Sequence, residues 1–287
     1  MNIVSTTREI KKMIKDYKKQ GKTIGFVPTM GFLHEGHLTL VSKSGSDCDI
    51  TIMSIFVNPL QFGPGEDYDR YPRDIERDIE LAEKAGVDVL FTPDVNELYP
   101  AEPSVSVKAV ERTDVLCGAS RPGHFDGVVT VLSILFNIID PDKSYFGQKD
   151  AQQVAVVKGL AGSLHFPTEI ISVETIREQD GLAKSSRNVY LSDQERTEAP
   201  VIYQALKTAS EIYMTDGSNA AIEHFKHELS TVSGDIDYIE ILTYPELQVP
   251  SESDTRLIIA AAVRFERARL IDNIIFTTEE ETACSDQ

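Results

Sequence analysis

The chain has 287 residues, 41% hydrophobic and 26% charged, a composition of folded globular proteins and a length with room for two domains of ordinary size. Acidic side chains outnumber basic ones 46 to 28, and the formal net charge of -18 opposes nucleic acid or an anionic membrane as partner. Cys48, Cys117 and Cys284 are too scattered for a disulfide framework or a thiolate zinc site, and no apolar run has the form of a membrane span or secretion signal, so a cytoplasmic location is expected.

Ile10, Met13, Ile14 and Tyr17 recur at helical spacing ahead of Gly21, which predicts a helix over 5–20. A first strand follows at Ile24, Phe26 and Val27. Pro28 and Gly31 then turn the chain into His34-Glu35-Gly36-His37 at the mouth of an apolar helix. Residues 49–57 read as a buried parallel strand ending at Asn58-Pro59, residues 72–84 as a helix stopped by Gly86, and residues 87–91 as a third strand. Beyond the loop RPGHFDG lie an apolar helix to Asn137, a short strand at Tyr145-Phe146, a helix from Asp150, its expected cap, to Leu160, and a strand over 168–176.

Strands alternating with helices in this way predict an α/β domain over 1–176, a doubly wound parallel sheet whose ligands bind at the carboxyl ends of the strands. After Ile176 the pattern changes. A polar loop (177–188) leads to helical runs at 193–213 and 218–229 and to strand-like runs at 237–243, 256–263 and 268–276, which predicts a smaller α+β domain over 177–287, placed as a lid and ending in an acidic tail at 279–287.

The residues suited to chemistry sit at strand ends. His34 and His37 near a helix start are either ordinary turn residues or N–H donors to a phosphate, with Gly36 allowing close backbone approach. Lys149, in Gly147-Gln148-Lys149-Asp150, is either a surface charge or a point cation for an α-phosphate. Lys184-Ser185-Ser186-Arg187 is either a solvated linker or a mobile loop that wraps a polyphosphate. Asn58, Gln61 and Gln153 are turn and helix-surface amides, or neutral partners for the hydroxyls and carboxylate of a small acid.

Taken together, PTMGFLHEGHLTLV, FVNPLQFG, YPR, RPGHFDGVVTV, YFGQKDAQQ and GLAKSSRNVYLS occur in an order and spacing that resembles the pantoate–β-alanine ligase family. The second domain resembles it more loosely, through ARLIDNI. The resemblance implies a Rossmann-like member of the nucleotidyltransferase superfamily, with HEGH and KSSR similar to the HIGH and KMSKS signatures of class I aminoacyl-tRNA synthetases. It also implies ATP with magnesium, a pantoyl-adenylate intermediate, capture of that intermediate by β-alanine, and a homodimer.

Carried onto this sequence, the resemblance assigns Met30, Gly31, Phe32, Leu33, His34, Glu35, Gly36 and His37 to ATP, with His37 as an acid-type proton donor. It likewise assigns to ATP the residues Gly147, Gln148, Lys149, Asp150, Ile176, Lys184, Ser185, Ser186 and Arg187. Gln61, Gln153 and Asn58 fall to the substrate acid, Gln61 also beside β-alanine, and Asp78 to the metal. Lys184 stands where some members have methionine. Two alternatives remain: a nucleotidylyltransferase acting on a phosphorylated small molecule, which would want more cations in the acceptor pocket, and a nucleotide-binding module without turnover, which would not need His34, His37 and Lys149 together.

Overall fold

The computed structural model describes residues 1–278, so the expected acidic tail and Cys284 lie outside the described residues. The chain divides into two compact units, one made of Met1–Ile176 with Lys184–Ser186, the other of Arg177–Ala183 with the chain from Arg187 onward. Lys184–Ser186 returns to the first unit because the Lys184 N–H donates to the Ile176 carbonyl at 2.9 Å and the Ser186 hydroxyl lies 3.2 Å from that of Tyr71.

The first unit is built on β1 (Asn2–Val4), β2 (Ile24–Thr29), β3 (Ile50–Ile55), β4 (Val89–Phe91), β5 (Lys143–Gly147) and β6 (Glu169–Val173). Every pairing is parallel, in the order β1-β4-β3-β2-β5-β6. Its helices are α1 (Thr7–Lys19), α2 (Glu35–Asp47), α3 (Ile75–Lys84), the short α4 (Val95–Leu98) and α5 (Leu116–Ser120), α6 (His124–Ile139) and α7 (Ala151–Ser163). Ile24, Phe26, Val27, Ile52 and Met53 on the central strands are all fully buried, which is why those segments read as continuous apolar runs and not as alternating ones.

Strand β2 lies at the centre, where the order reverses. It is in register with β3 along its whole length, from Ile24↔Ile50 to Thr29↔Ile55, but with β5 only at Gly25↔Lys143 and Phe26↔Ser144. The carboxyl ends of β2 and β5, Thr29 and Gly147, are therefore not paired with each other. In an open α/β sheet this is the crevice in which ligands bind.

The second unit carries α8 (Asp193–Glu198) and α9 (Val201–Leu229) with the antiparallel sheet β7 (Asp235–Thr243), β8 (Arg256–Arg264) and β9 (Arg269–Thr277), in the order β7-β8-β9. Leu206, Ala209 and Phe225 on α9 share a core with Ile259, Ala261 and Val263 on β8. Ser192 and Glu195 form a reciprocal cap at the start of α8.

Several boundaries differ from expectation. β1 is an edge strand of three residues, too short to show a period. Helix α3 starts only at Ile75, since Asp74 caps it by accepting from the Arg77 N–H at 3.1 Å. The first helical run of the second unit stops before Pro200, which has no N–H to donate; its remainder runs on across Gly217, whose φ of 80° interrupts the helical backbone inside α9.

Two glycines mark close backbone approach. A Cβ at Gly25 would meet the Ser44 hydroxyl at 2.1 Å, so α2 packs hard on β2. A Cβ at Gly127 on α6 would meet the Leu60 carbonyl oxygen at 2.2 Å and the Gln61 nitrogen at 2.5 Å, and backbone cannot swing aside as a side chain can. Gly127→Ala is expected to cost about 1–3 kcal/mol of stability, as overpacked interiors do. Urea unfolding would check this, and an unchanged midpoint would show that α6 and the 58–61 segment are not in such contact.

Candidate active site

The site grows from the loop leaving β2. The Thr29 hydroxyl donates to the Ser54 carbonyl at 2.7 Å and accepts from the Gly31 N–H at 3.2 Å. Gly31 (φ 85°) and Phe32 (φ 51°) then reverse the chain through left-handed conformations, the second unfavourable for a side chain of that size. The carboxylate of Asp78 compensates. Its two oxygens accept from the Phe32 and Leu33 N–H groups, each at 2.7 Å, with the side chain only 1% exposed. Arg77 adds a bond to the Leu33 carbonyl at 2.9 Å and lies over the Phe32 ring, 5.0 Å from its centre.

This geometry gives Asp78 a structural duty in the loop. Each of its oxygens already serves a backbone donor, and burial pushes its carboxyl above the ordinary range in spite of those donors. Among the described residues no three His, Cys, Asp or Glu side chains are grouped to hold a metal. Asp78 is the anchor of the loop.

His34 occupies the cap position of α2 in extended conformation, and its carbonyl receives the His37 and Leu38 N–H groups at 2.8 and 3.2 Å. The His34 N–H in turn donates to Nδ1 of His37 at 3.3 Å. That bond requires the Nδ1 lone pair and so, in the neutral ring, puts the proton on Nε2. The two rings lie 4.0 Å apart. Burial, then the charges of Lys149, Lys184 and Arg77, lower His34 to about 4 against the opposing pull of Asp150, and Nδ1 of His34 is buried without a hydrogen-bond partner. Burial first, then His34 and Lys149, hold His37 well below the ordinary histidine value. Both imidazoles are therefore neutral near pH 7. His37 is suited to donate a hydrogen bond through a neutral N–H.

Lys149 comes from the end of β5. After Gly147 a single 3-10 turn, Gln148–Asp150, carries its ammonium 3.2 Å from Asp150 Oδ2. Asp150 stands at the cap position of α7 but makes no capping bond there; its carboxylate faces Lys149, which corrects the cap expected from the sequence. Lys184 lies 2.8 Å from Glu35 Oε2. The fields of Lys149, Lys184 and Arg77 all reach His34, so residues from four separate stretches of the first unit converge on one point. Ser185 is partly buried beside buried Ser186, and Ile176 enters through its carbonyl, which receives the Lys184 N–H. Arg187 belongs to the second unit.

Of the amides, Asn58 is bonded on every side within the protein. Nδ2 donates to Gln61 Oε1 and the Gly127 carbonyl, both at 3.1 Å, while Oδ1 accepts from the Leu60 N–H at 3.2 Å and the Tyr99 hydroxyl at 2.9 Å. Its capacity is used up within the protein. Gln61 keeps one N–H and one lone pair, its other contact being Nε2 to the Met30 sulfur at 3.1 Å. Gln153 is partly buried in the first turn of α7, next to Gln152, which is committed to the Arg112 and Val115 carbonyls at 2.8 Å each. Arg77 was not foreseen; its one visible signal was its place beside Asp78.

Because the folded chain takes up the His34 proton only near pH 4, while an unfolded chain takes it up near 6.5, acidification across that interval protonates the unfolded state first and removes stability. A His34→Gln/His37→Gln protein is expected to lose less stability than the wild type between those pH values, measured by urea unfolding at stepped pH. Parallel curves would show that the histidines are not held neutral.

With the site described, its relatives can be compared. The Pantoate-beta-alanine ligase family model matches residues 2–275. A pantothenate synthetase of Bacillus subtilis is 55% identical over 98% of this chain and 99% of its own, and one of Geobacillus thermodenitrificans is 54% identical over 96% of both. The crystal structure of pantothenate synthetase from Thermus thermophilus superposes with a TM-score of 0.90 at 45% identity, covering 96% of this chain and 99% of that one. That of the pantoate-beta-alanine ligase from Francisella tularensis, complexed with beta-gamma ATP and beta-alanine, does so at 0.81 and 33% identity over 98% of each chain. By sequence along nearly its whole length and by fold, this chain belongs to the pantoate-beta-alanine ligase family.

Proposed function

We propose that this protein joins pantoate to β-alanine at the expense of ATP, through a pantoyl-adenylate. In the first step a pantoate carboxylate oxygen bonds to the α-phosphorus of ATP and pyrophosphate leaves. In the second the β-alanine amine bonds to the acyl carbon, AMP leaves, and the amine gives up a proton. AMP is a far better leaving group than oxide, which is why the carboxylate is first activated.

One observation carries this reading: His34, His37 and Lys149 share an electrostatic environment at the unpaired carboxyl ends of β2 and β5. Neutral imidazole N–H groups donate to phosphate oxygens while Lys149 meets the charge that grows on the α-phosphate. Met30–Gly36 and Gly147–Asp150 frame the nucleotide, Lys184–Ser186 and Ile176 border it, and Gln61 and Gln153 take the hydroxy acid. The amides favour an uncharged-hydroxyl acid over the phosphorylated acceptor of a nucleotidylyltransferase, which would want further cations.

Magnesium would enter with ATP as its counter-ion and neutralise phosphate charge, a mode that asks for no dedicated all-protein cage, and Asp78 is the carboxylate the family resemblance assigns to it. Family resemblance supports a homodimer in the cytoplasm. The complex of the Francisella ligase with an ATP analogue and β-alanine supports the choice of ligands. Catalysis is by alignment and charge stabilisation without a covalent enzyme intermediate.

Lys149→Ala is expected to lower pantoate-dependent ATP–pyrophosphate exchange by roughly two or more powers of ten, the scale for losing one donor to developing charge. Exchange near the wild-type rate would remove Lys149 from the chemistry. AMP formation without pantoate, in assays omitting each substrate in turn, would overturn the ligase reading itself.

A further inference from the structure

The segment RPGHFDG lies outside the stretches assigned to the nucleotide, and it makes a dense polar cluster against the loop that bears Gln61. Arg121 follows α5, Gly123 (φ 83°) turns the chain, and His124 opens α6. Arg121 grips the Glu66 carboxylate in a two-pronged pair, Nε to Oε1 at 2.7 Å and Nη2 to Oε2 at 2.6 Å. The same Nη2 donates to the Gln61 carbonyl at 3.2 Å, and Nη1 lies 3.2 Å from His124 Nε2.

His124 completes the arrangement in only one protonation state. Its Nδ1 lies 2.8 Å from the Gln61 carbonyl, which can only accept, so Nδ1 carries the proton and Nε2 accepts from Arg121. Burial, then the Arg121 charge, lowers this histidine to about 4, in keeping with a neutral ring. Glu66 is fixed in turn by the Gly63 N–H, 3.1 Å from Oε2. The Gln61 backbone is thus held by two donors on its carbonyl and by the close approach of Gly127 on its nitrogen.

What this clamp controls is the direction of one side chain. The Gln61 carboxamide accepts from Asn58 and donates to the Met30 thioether, a weak acceptor that a better one can displace. We infer that Arg121, braced by Glu66 and His124, is a positioning residue that sets the Gln61 backbone and so aims the Gln61 carboxamide at the acid substrate. The inference rests on the reading of Gln61 as a substrate-binding residue. A bidentate guanidinium suits the task because its planar fork fixes both distance and angle, whereas a lysine would supply charge without orientation.

The test is a double-mutant cycle read as KM for pantoate and, separately, for ATP in the pyrophosphate-exchange assay, with thermal unfolding alongside. Arg121→Lys is expected to raise the pantoate KM roughly tenfold, within the range of coupling between contacting residues, with the ATP KM unchanged. Placed on a Gln61→Ala background, the same substitution should add little, since the side chain it aims is gone. Glu66→Gln should act in the same direction by a smaller factor, and it carries the test if Arg121→Lys does not fold.

An unchanged pantoate KM, an equal rise in both KM values, or full multiplication of the effect on the Gln61→Ala background would each overturn the positioning role. Gln61→Ala with wild-type pantoate KM would overturn the reading of Gln61 and the inference with it. A raised KM in Gln61→Ala but not in Arg121→Lys or Glu66→Gln would overturn the inference alone.

Discussion

The buried carboxylate of Asp78 holds the site in shape. Its two hydrogen bonds to consecutive backbone N–H groups stabilise a loop that contains a phenylalanine in a left-handed conformation, and that loop decides where His34 starts α2. A buried charge that satisfies a strained backbone is a costly device, and here it secures direction: the first turn of α2 is presented toward the crevice between β2 and β5. Losing the carboxylate would free two N–H donors at the point where the chain can least accommodate them.

Around that anchor the polar groups are sorted by role. His34 and His37 are partly enclosed and neutral near pH 7, which makes them hydrogen-bond donors without a charge of their own. The charge of the site resides in Lys149 and Lys184, each next to a carboxylate, Asp150 and Glu35. Neutral donors that need no rearrangement, combined with cations close by, are what electrostatic preorganisation requires.

The fold was legible where the hydrophobic period was strong. The largely buried strands β2 and β3 and the helices ending at Gly21 and Gly86 stood out as apolar runs and stop signals, and the HEGH, GQKD and KSSR stretches stood out by residue type. Roles that depend on who faces whom were not legible. Asp78 in YPRDIERD reads as one acid among several, since only the fold brings the Phe32 and Leu33 N–H groups to it. Asn58 and Gln61 look alike as loop amides, and only a count of their bonds separates the saturated scaffold from the one with capacity to spare. The protonation state of the histidines likewise depends on burial, which no spacing reveals.

The pairing of each lysine with a carboxylate also changes how ligand entry is counted. Lys149 and Lys184 hold Asp150 and Glu35 before any polyanion arrives, so phosphate binding is an exchange of one anion for another at each lysine. In an exchange the salt-screened attraction gained is offset by a similarly screened attraction given up. Nucleotide affinity should accordingly vary less with ionic strength than a tally of the lysines suggests, and in a chain of net charge -18 this keeps a polyphosphate site workable without a basic surface around it.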